Sequence, residues 1–235
     1  MIIIIVDGIV YFLEVPYEKV AIMIVVHHLN NSRSQRVLWL LEELGIEYEI
    51  KFYERDEKTM LAPPSLREVH PLGKSPVITD GEETVAESGA IIEYIVDRYG
   101  NSRLIPLSDT PERLRYTYWL HYAEGSAMPP LVMNLIFNRF ETANSSVNDA
   151  FIAPQIKLHF DYIEGELHKN TWFVGEEFTA ADIQMSFPLE IVAMEAELIS
   201  SRPKIKQFIE RIHARPAYER ALERGGRYDF ANSIQ

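Results

Sequence analysis

Strand-like and helical segments alternate only as far as about Asn101, and beyond it no strand-like segment recurs. This change of pattern restricts the fold more than any single motif. An alternating first part needs a layered α/β domain, and an unbroken series of helical segments needs a separate all-helical one. Residues 24–27 read as a buried strand, and residues 34–44 as a helix with Val37, Leu38, Leu41 and Leu44 on one face and Gly45 as its stop. Residues 48–52 form a second strand, and Pro63-Pro64-Ser65 opens a short helical piece that Pro71 closes. Residues 76–79 and 84–86 read as a hairpin around Asp80-Gly81-Glu82-Glu83, followed by a helix over 88–99. The order is βαβ followed by ββα.

Residues 106–111 read as a linker. A long helix from Pro111 is expected to bend at Pro129-Pro130, because neither proline can donate to the helical ladder. Further helices are predicted over 147–168, 183–194, 203–214 and 216–224. Thr179-Ala180-Ala181-Asp182 has the capping form before the second of these, which makes Asp182 a buried cap and folding determinant. Residues 1–22 are expected to be an N-terminal extension ahead of Met23; the rival reading is an extra β-hairpin turning at Asp7-Gly8. The expected organisation is thus 1–22 extension, 23–102 α/β domain and 110–235 all-helical domain.

Composition excludes several classes. A formal net charge of −12 with no basic stripe disfavours a nucleic-acid surface. The apolar start of the chain is interrupted by Asp7 and Glu14, short of the ~20 residues a spanning helix needs. It has neither the basic region nor the cleavage site of a signal peptide, so no membrane association and a cytoplasmic location are expected. The seven histidines include one adjacent pair, His27-His28, whose side chains would point to opposite faces of a strand, so no metal site is expected. The chain has no cysteine. It can therefore form no disulfide and no thiolate nucleophile, and any sulfur chemistry must use a ligand's sulfur.

Glu87 and Ser88 precede the apolar run Ala90, Ile91, Tyr94, Ile95, which puts them at a helix N-terminus. Free N–H groups and the positive end of the helix dipole favour an anionic ligand group there. Pro76, a short way upstream, marks a rigid bend that could be cis and could expose main-chain groups to the same ligand. A small, acidic, peptide-like ligand is the reading.

Four stretches, in order, carry a resemblance: Ser32-Arg33-Ser34-Gln35-Arg36 ahead of Val37-Leu38-Trp39-Leu40-Leu41-Glu42-Glu43-Leu44-Gly45; Pro71-Leu72-Gly73-Lys74-Ser75-Pro76-Val77; Glu87-Ser88; and Phe178-Thr179-Ala180-Ala181-Asp182. Over Met23 to about Tyr218 the chain resembles the cytosolic glutathione transferases, and the Leu29-Asn30-Asn31-Ser32 form looks most like bacterial and fungal serine-type members. The resemblance implies a thioredoxin-like domain followed by an all-helical domain. It also implies conjugation of glutathione to small hydrophobic electrophiles, glutathione as co-substrate with no cofactor, and a homodimer. Activity as a glutathione-dependent peroxidase or disulfide reductase, and a non-catalytic binding role, are the alternatives.

A free thiol has a pKa of about 8.5, so catalysis needs a donor that stabilises the thiolate. By resemblance that donor is Ser32, because serine-type members place their hydroxyl four residues before an arginine, here Arg36. The same serine reads locally as a helix cap with Gln35 as its capping-box partner, and Asn30, Asn31 and Ser34 are neighbouring candidates. The resemblance assigns Ser75, ahead of Pro76, to the cysteinyl main chain, Glu87 and Ser88 to the γ-glutamyl amine and carboxylate, and Lys74 to the glycyl carboxylate. A serine before the proline departs from the usual valine or isoleucine. The electrophile is expected against the helix bearing Tyr116, Tyr118, Trp119, Tyr122 and Met128, with Tyr118 and Tyr122 lining its pocket.

Overall fold

The computed structural model describes residues 2–6, 9–13, 23–139 and 148–232. Strands β1 (Ile2–Val6) and β2 (Ile9–Leu13) pair antiparallel, Ile2 opposite Leu13 and Val6 opposite Ile9. The Asp7-Gly8 turn expected between them lies outside the described residues, as do 14–22.

The second sheet has four strands in the order β4-β3-β5-β6. Strand β3 (Ile24–Leu29) runs parallel to β4 (Tyr48–Tyr53) and antiparallel to β5 (Val77–Asp80), which pairs in turn with β6 (Glu83–Ala86). The parallel pair requires a crossover. Helix α1 (Ser34–Leu44) supplies it, ending on Gly45 at φ 63 as expected of a glycine stop. A short 3₁₀ turn (Pro64–Glu68) leads to β5, and α2 (Ser88–Tyr99) follows β6. Helices α1 and α2 pack against each other and bury Val37, Leu38, Leu41, Ile91, Ile92 and Ile95.

Helix α3 (Pro111–Tyr122) opens the helical part, capped by the Thr110 hydroxyl, which accepts from the Arg113 N–H at 3.2 Å. At Pro129-Pro130, where a bend is expected, the chain is helical, and the departure from α-helical bonding lies upstream. Residues Ala123–Ala127 form a widened turn in which the Met128 N–H reaches the Ala123 carbonyl five residues back. The prolines then occupy the first turn of α4 (Met128–Arg139), where a missing N–H breaks no helical hydrogen bond. A second widened turn (Asn148–Ile152) leads into α5 (Ala153–Lys169).

Helix α6 (Ala180–Ala193) runs through the middle, buried on nearly every side, with Pro188 inside it. Its start carries the expected capping box: Asp182 accepts from the Thr179 N–H at 2.8 Å, and also from the Phe173 N–H at 2.8 Å. The short α7 (Ala196–Ser200), α8 (Pro203–His213) and α9 (Pro216–Gly225) follow, and a 3₁₀ turn (Asp229–Asn232) ends the described chain. Helix α9 packs back onto α1, and α1 also contacts α6, so the two parts of the chain share one apolar core.

Candidate functional site

Ser88 lies at the first position of α2 and is 3% exposed. Its hydroxyl oxygen accepts from Arg36 Nη1 at 3.3 Å and from Gln184 Nε2 at 3.1 Å, while Gln184 Oε1 accepts from Arg36 Nη1 at 3.1 Å. Both partners can only donate to it, so both lone pairs are occupied and the hydroxyl proton is left for a further acceptor. Its backbone N–H belongs to the unpaired first turn of the helix. A ligand carboxylate satisfies both. Glu87, just before it, is exposed and held at φ 72, a left-handed conformation uncommon for a non-glycine residue and concentrated at ligand-holding sites.

The Ser75–Pro76 bond is cis. Residues Lys74, Ser75, Pro76, Glu87 and Ser88, together with Arg33, His70 and Glu124, line one cleft of ≈ 220 Å³. Every residue expected to hold glutathione therefore borders the same cavity. Lys74 is exposed on its rim.

Ser32 sits just behind this wall, 3% exposed. Its oxygen lies 3.4 Å from Ser75 Oγ and 2.8 Å from Ser34 Oγ, and accepts from the Ser34 N–H at 3.2 Å. The capping box with Gln35 does not form: the residue before α1 is Arg33, and the buried Gln35 amide has no hydrogen-bond partner among the described residues. The neighbouring candidates are committed elsewhere. Asn30 Oδ1 accepts from the Arg55 N–H at 3.0 Å, and the Asn31 amide donates to Asp229 at 2.8 Å. Ser34 Oγ is 2.8 Å from His28 Nδ1. Asn30, Asn31 and His28 border a separate cavity of ≈ 600 Å³, closed by Phe52, Arg55 and Gly225.

The sequence reading missed the groups that come to the cleft from the helical part. The widened turn at Ala123–Ala127 points Glu124 between two arginines: Arg33 Nε donates to both its oxygens, at 3.0 and 2.9 Å, and Arg36 Nη1 donates at 2.6 Å. Burial alone would raise the Glu124 pKa, but the charges of Arg36 and Arg33 outweigh it and hold the carboxyl below its ordinary value. Arg36 is 1% exposed, and its Nε and Nη2 have no partner among the described residues. Burial pushes its pKa down, against the pull of Glu124. Of these residues only Arg36 had a sequence signal, its spacing from Ser32.

Tyr118 and Tyr122, the residues expected at the electrophile, lie on α3. Tyr122 is buried and its hydroxyl meets His159 Nδ1 at 2.7 Å, while Tyr118 packs edge-on against Trp119. Both belong to the aromatic contact between α3 and α5, and neither lines the Ser75 cleft. Their one-turn spacing directs both side chains along one face of α3, whereas Glu124 projects from the widened turn that follows.

Residues 21–97 match the family model of the glutathione S-transferase N-terminal domain, and residues 130–216 match that of the C-terminal domain. Glutathione S-transferase 3 of Schizosaccharomyces pombe is 39% identical over 216 residues, covering 86% of this chain and 88% of that protein. The chain belongs to the glutathione S-transferase family. Glutathione S-transferase 1 of Saccharomyces cerevisiae is 33% identical over 224 residues, covering 86% of this chain and 95% of that protein. Among solved structures, a glutathione S-transferase from Actinobacillus pleuropneumoniae superimposes with a TM-score of 0.79 at 36% identity, covering 89% of this chain and 96% of that one. The four-stranded sheet lies within the part that matches the N-terminal domain of a glutathione S-transferase, and α5 to α8 lie within the part that matches the C-terminal one.

Proposed function

We propose that the Ser75 cleft holds glutathione along its length and that Ser32 activates the sulfur. Transfer of the glutathione sulfur to an electrophile is the activity of this family and of this chain. In the proposed pose the γ-glutamyl carboxylate lies on the Ser88 hydroxyl and the first N–H groups of α2. The ammonium group lies on Glu87, the cysteinyl main chain on Ser75, and the glycyl carboxylate on Lys74 at the rim. The sulfur then lies beside the Ser75–Ser32 pair of hydroxyls at the start of α1. The observation that carries this reading is the doubly occupied Ser88 oxygen, which leaves a hydroxyl proton directed at an acceptor the protein does not supply.

Conjugation of glutathione to chlorodinitrobenzene tests it. Ser32→Ala is expected to lower kcat about a hundredfold at neutral pH, with the KM for glutathione little changed. An unchanged kcat removes Ser32 from the mechanism.

Self-association is part of the same proposal. Leu114 and Tyr118 on α3, and Leu158 and Tyr162 on α5, are large exposed apolar residues on facing helices. They suit the homodimer expected from the family resemblance, and sedimentation of the protein gives its mass. Among the described residues no helix is long and apolar enough to cross a membrane, and a cytoplasmic location is proposed, to be checked by fractionation.

A further inference from the structure

The Ser32 hydroxyl is the end of a hydrogen-bonded chain that runs away from the cleft. Ser32 Oγ and Ser34 Oγ are 2.8 Å apart, and Ser34 Oγ and His28 Nδ1 are 2.8 Å apart. The His28 ring also bonds the main chain of Gly225. A carbonyl only accepts, and Nδ1 already faces Ser34, so Nε2 carries the ring proton and Nδ1 presents a lone pair. Helix α9 brings that carbonyl close because residue 225 has no side chain: a Cβ there would stand 2.7 Å from Leu38 Cδ1 and 2.9 Å from Gln35 Oε1.

The direction of the remaining protons follows. Ser34 Oγ has two acceptors in reach, His28 Nδ1 at 2.8 Å and the Leu29 carbonyl at 3.4 Å; the nearer takes its proton, and the oxygen accepts from the Leu29 N–H at 3.3 Å. Its other lone pair takes the Ser32 proton. Ser75 gives its own proton to the His27 carbonyl at 3.1 Å. In the empty protein Ser32 thus presents a lone pair to its cleft-side neighbour, suited to receive the proton of a thiol.

We propose that His28 is the proton-accepting terminus of a Ser32–Ser34–His28 relay that deprotonates bound glutathione. The inference rests on the reading of Ser32 given above. When the thiol S–H bond breaks, its proton goes to Ser32 Oγ. The Ser32 proton passes to Ser34 Oγ and the Ser34 proton to His28 Nδ1. A thiolate and an imidazolium result, with no change in net charge, and every hydroxyl of the chain then donates towards the sulfur. Two states, thiol with imidazole and thiolate with imidazolium, keep all the hydrogen bonds made; thiolate beside neutral imidazole leaves the two serine oxygens facing each other with no proton between them. After the sulfur attacks and the leaving group departs as an anion, the sulfur is neutral. The chain then reverts and gives the proton to water in the cleft.

Away from a thiolate, the surroundings disfavour this imidazolium. His28 is 2% exposed, edge-on to Phe52 on β4 and against Ser34 on α1 and Gly225 at the end of α9, and burial lowers its pKa to about 4. The charged groups sharing its cavity wall are Glu54, Arg55, Glu57, Arg227 and Asp229. The charge that stabilises the imidazolium is therefore the thiolate itself, and the proton leaves when that charge is consumed. His28 touches no substrate; it is a positioning residue that acts through the two serines.

Calorimetric titration with glutathione in two buffers of different ionisation enthalpy counts the protons released, and the ultraviolet absorbance of the bound thiolate counts the anions formed. Wild-type protein is expected to form thiolate with almost no proton release near neutral pH. Ser34→Ala cuts the relay while removing only one hydroxyl. It is expected to release about one proton for each thiolate that still forms and to lower kcat about a hundredfold, with unchanged affinity for S-methylglutathione. His28→Asn is expected to match it, and the double variant to add nothing further. If the wild type releases one proton per thiolate, or if Ser34→Ala leaves both the proton count and kcat unchanged while Ser32→Ala abolishes the thiolate, the relay is wrong and the Ser32 reading stands. If Ser32→Ala keeps the thiolate, both are wrong.

Discussion

At the scale of single residues, the proposed glutathione pose depends on which way the Ser88 hydroxyl proton points. Arg36 and Gln184 fill the lone pairs of Ser88, so in the proposed pose both would act on glutathione through the serine. Gln184→Leu removes one donor and lets the Ser88 proton turn inward to other acceptors. The expected outcome is a KM for glutathione raised about fivefold with kcat nearly unchanged, since the lost interaction binds ground and transition states alike. Steady-state kinetics at fixed electrophile measures the split, and a fall in kcat instead would tie Gln184 to the chemical step. The places of Ser32, Ser75, Glu87 and Ser88 at turns and helix starts were legible in the sequence from local signals. Gln184 was not, since it lies 148 positions from Arg36 and nothing in its neighbourhood distinguishes it from the rest of a buried helix. Arg33 and Glu124 escaped for a similar reason: their meeting depends on how the helical part docks on α1.

At the scale of elements, local chemistry decided what could be foreseen. Helix α1 runs from Ser34 to Leu44 as the apolar spacing and Gly45 indicated, and α2 begins at Ser88 as its polar-to-apolar step required. The widened turn before α4 had no comparable signal, because prolines announce a disturbance of the ladder but not where the chain absorbs it. The start of α6 shows how much a single cap can carry. Asp182, 0% exposed, holds the Phe173 and Thr179 N–H groups and the Thr179 hydroxyl. Asp182→Ala strands those donors in the core and is expected to lower unfolding free energy by about 3 kcal/mol, read from urea titrations. A loss within experimental scatter would mean that the start of α6 is held by packing alone. Burial raises the Asp182 pKa to about 6 in spite of its donors. The folded protein therefore binds this proton before the unfolded chain does, so Asp182 favours the native state increasingly as pH falls below about 6 and does not drive acid unfolding.

At the scale of the whole molecule, the two parts of the chain are joined by apolar packing and by ion pairs that converge on α1. Glu124 meets Arg33 and Arg36 on one side, and on the other Glu42 receives Arg220 at 2.8 Å and Arg224 at 2.9 Å. Burial alone would raise both carboxyls; for Glu124 the two arginine charges, and for Glu42 the hydrogen bonds from Arg220, Arg224 and Tyr48, outweigh it and lower them. A folded pKa below the unfolded value of 4.5 gives a contribution to stability that is complete above that pH. It is lost as pH falls through the folded values, because the unfolded chain then binds more protons. Urea midpoints are therefore expected to rise slightly from about pH 6 to about pH 5, through Asp182, and to fall steeply below about pH 4.5 as these two carboxyls protonate. Glu124→Gln has no carboxyl to titrate and leaves two arginines short of a counter-charge, one of them almost fully buried. It is expected to start from a lower midpoint at neutral pH and to lose less between about pH 4.5 and about pH 3 than the wild type does. If the two proteins fall in parallel over that range, the acid sensitivity arises outside the junction, and Glu124 serves the cleft without joining the domains.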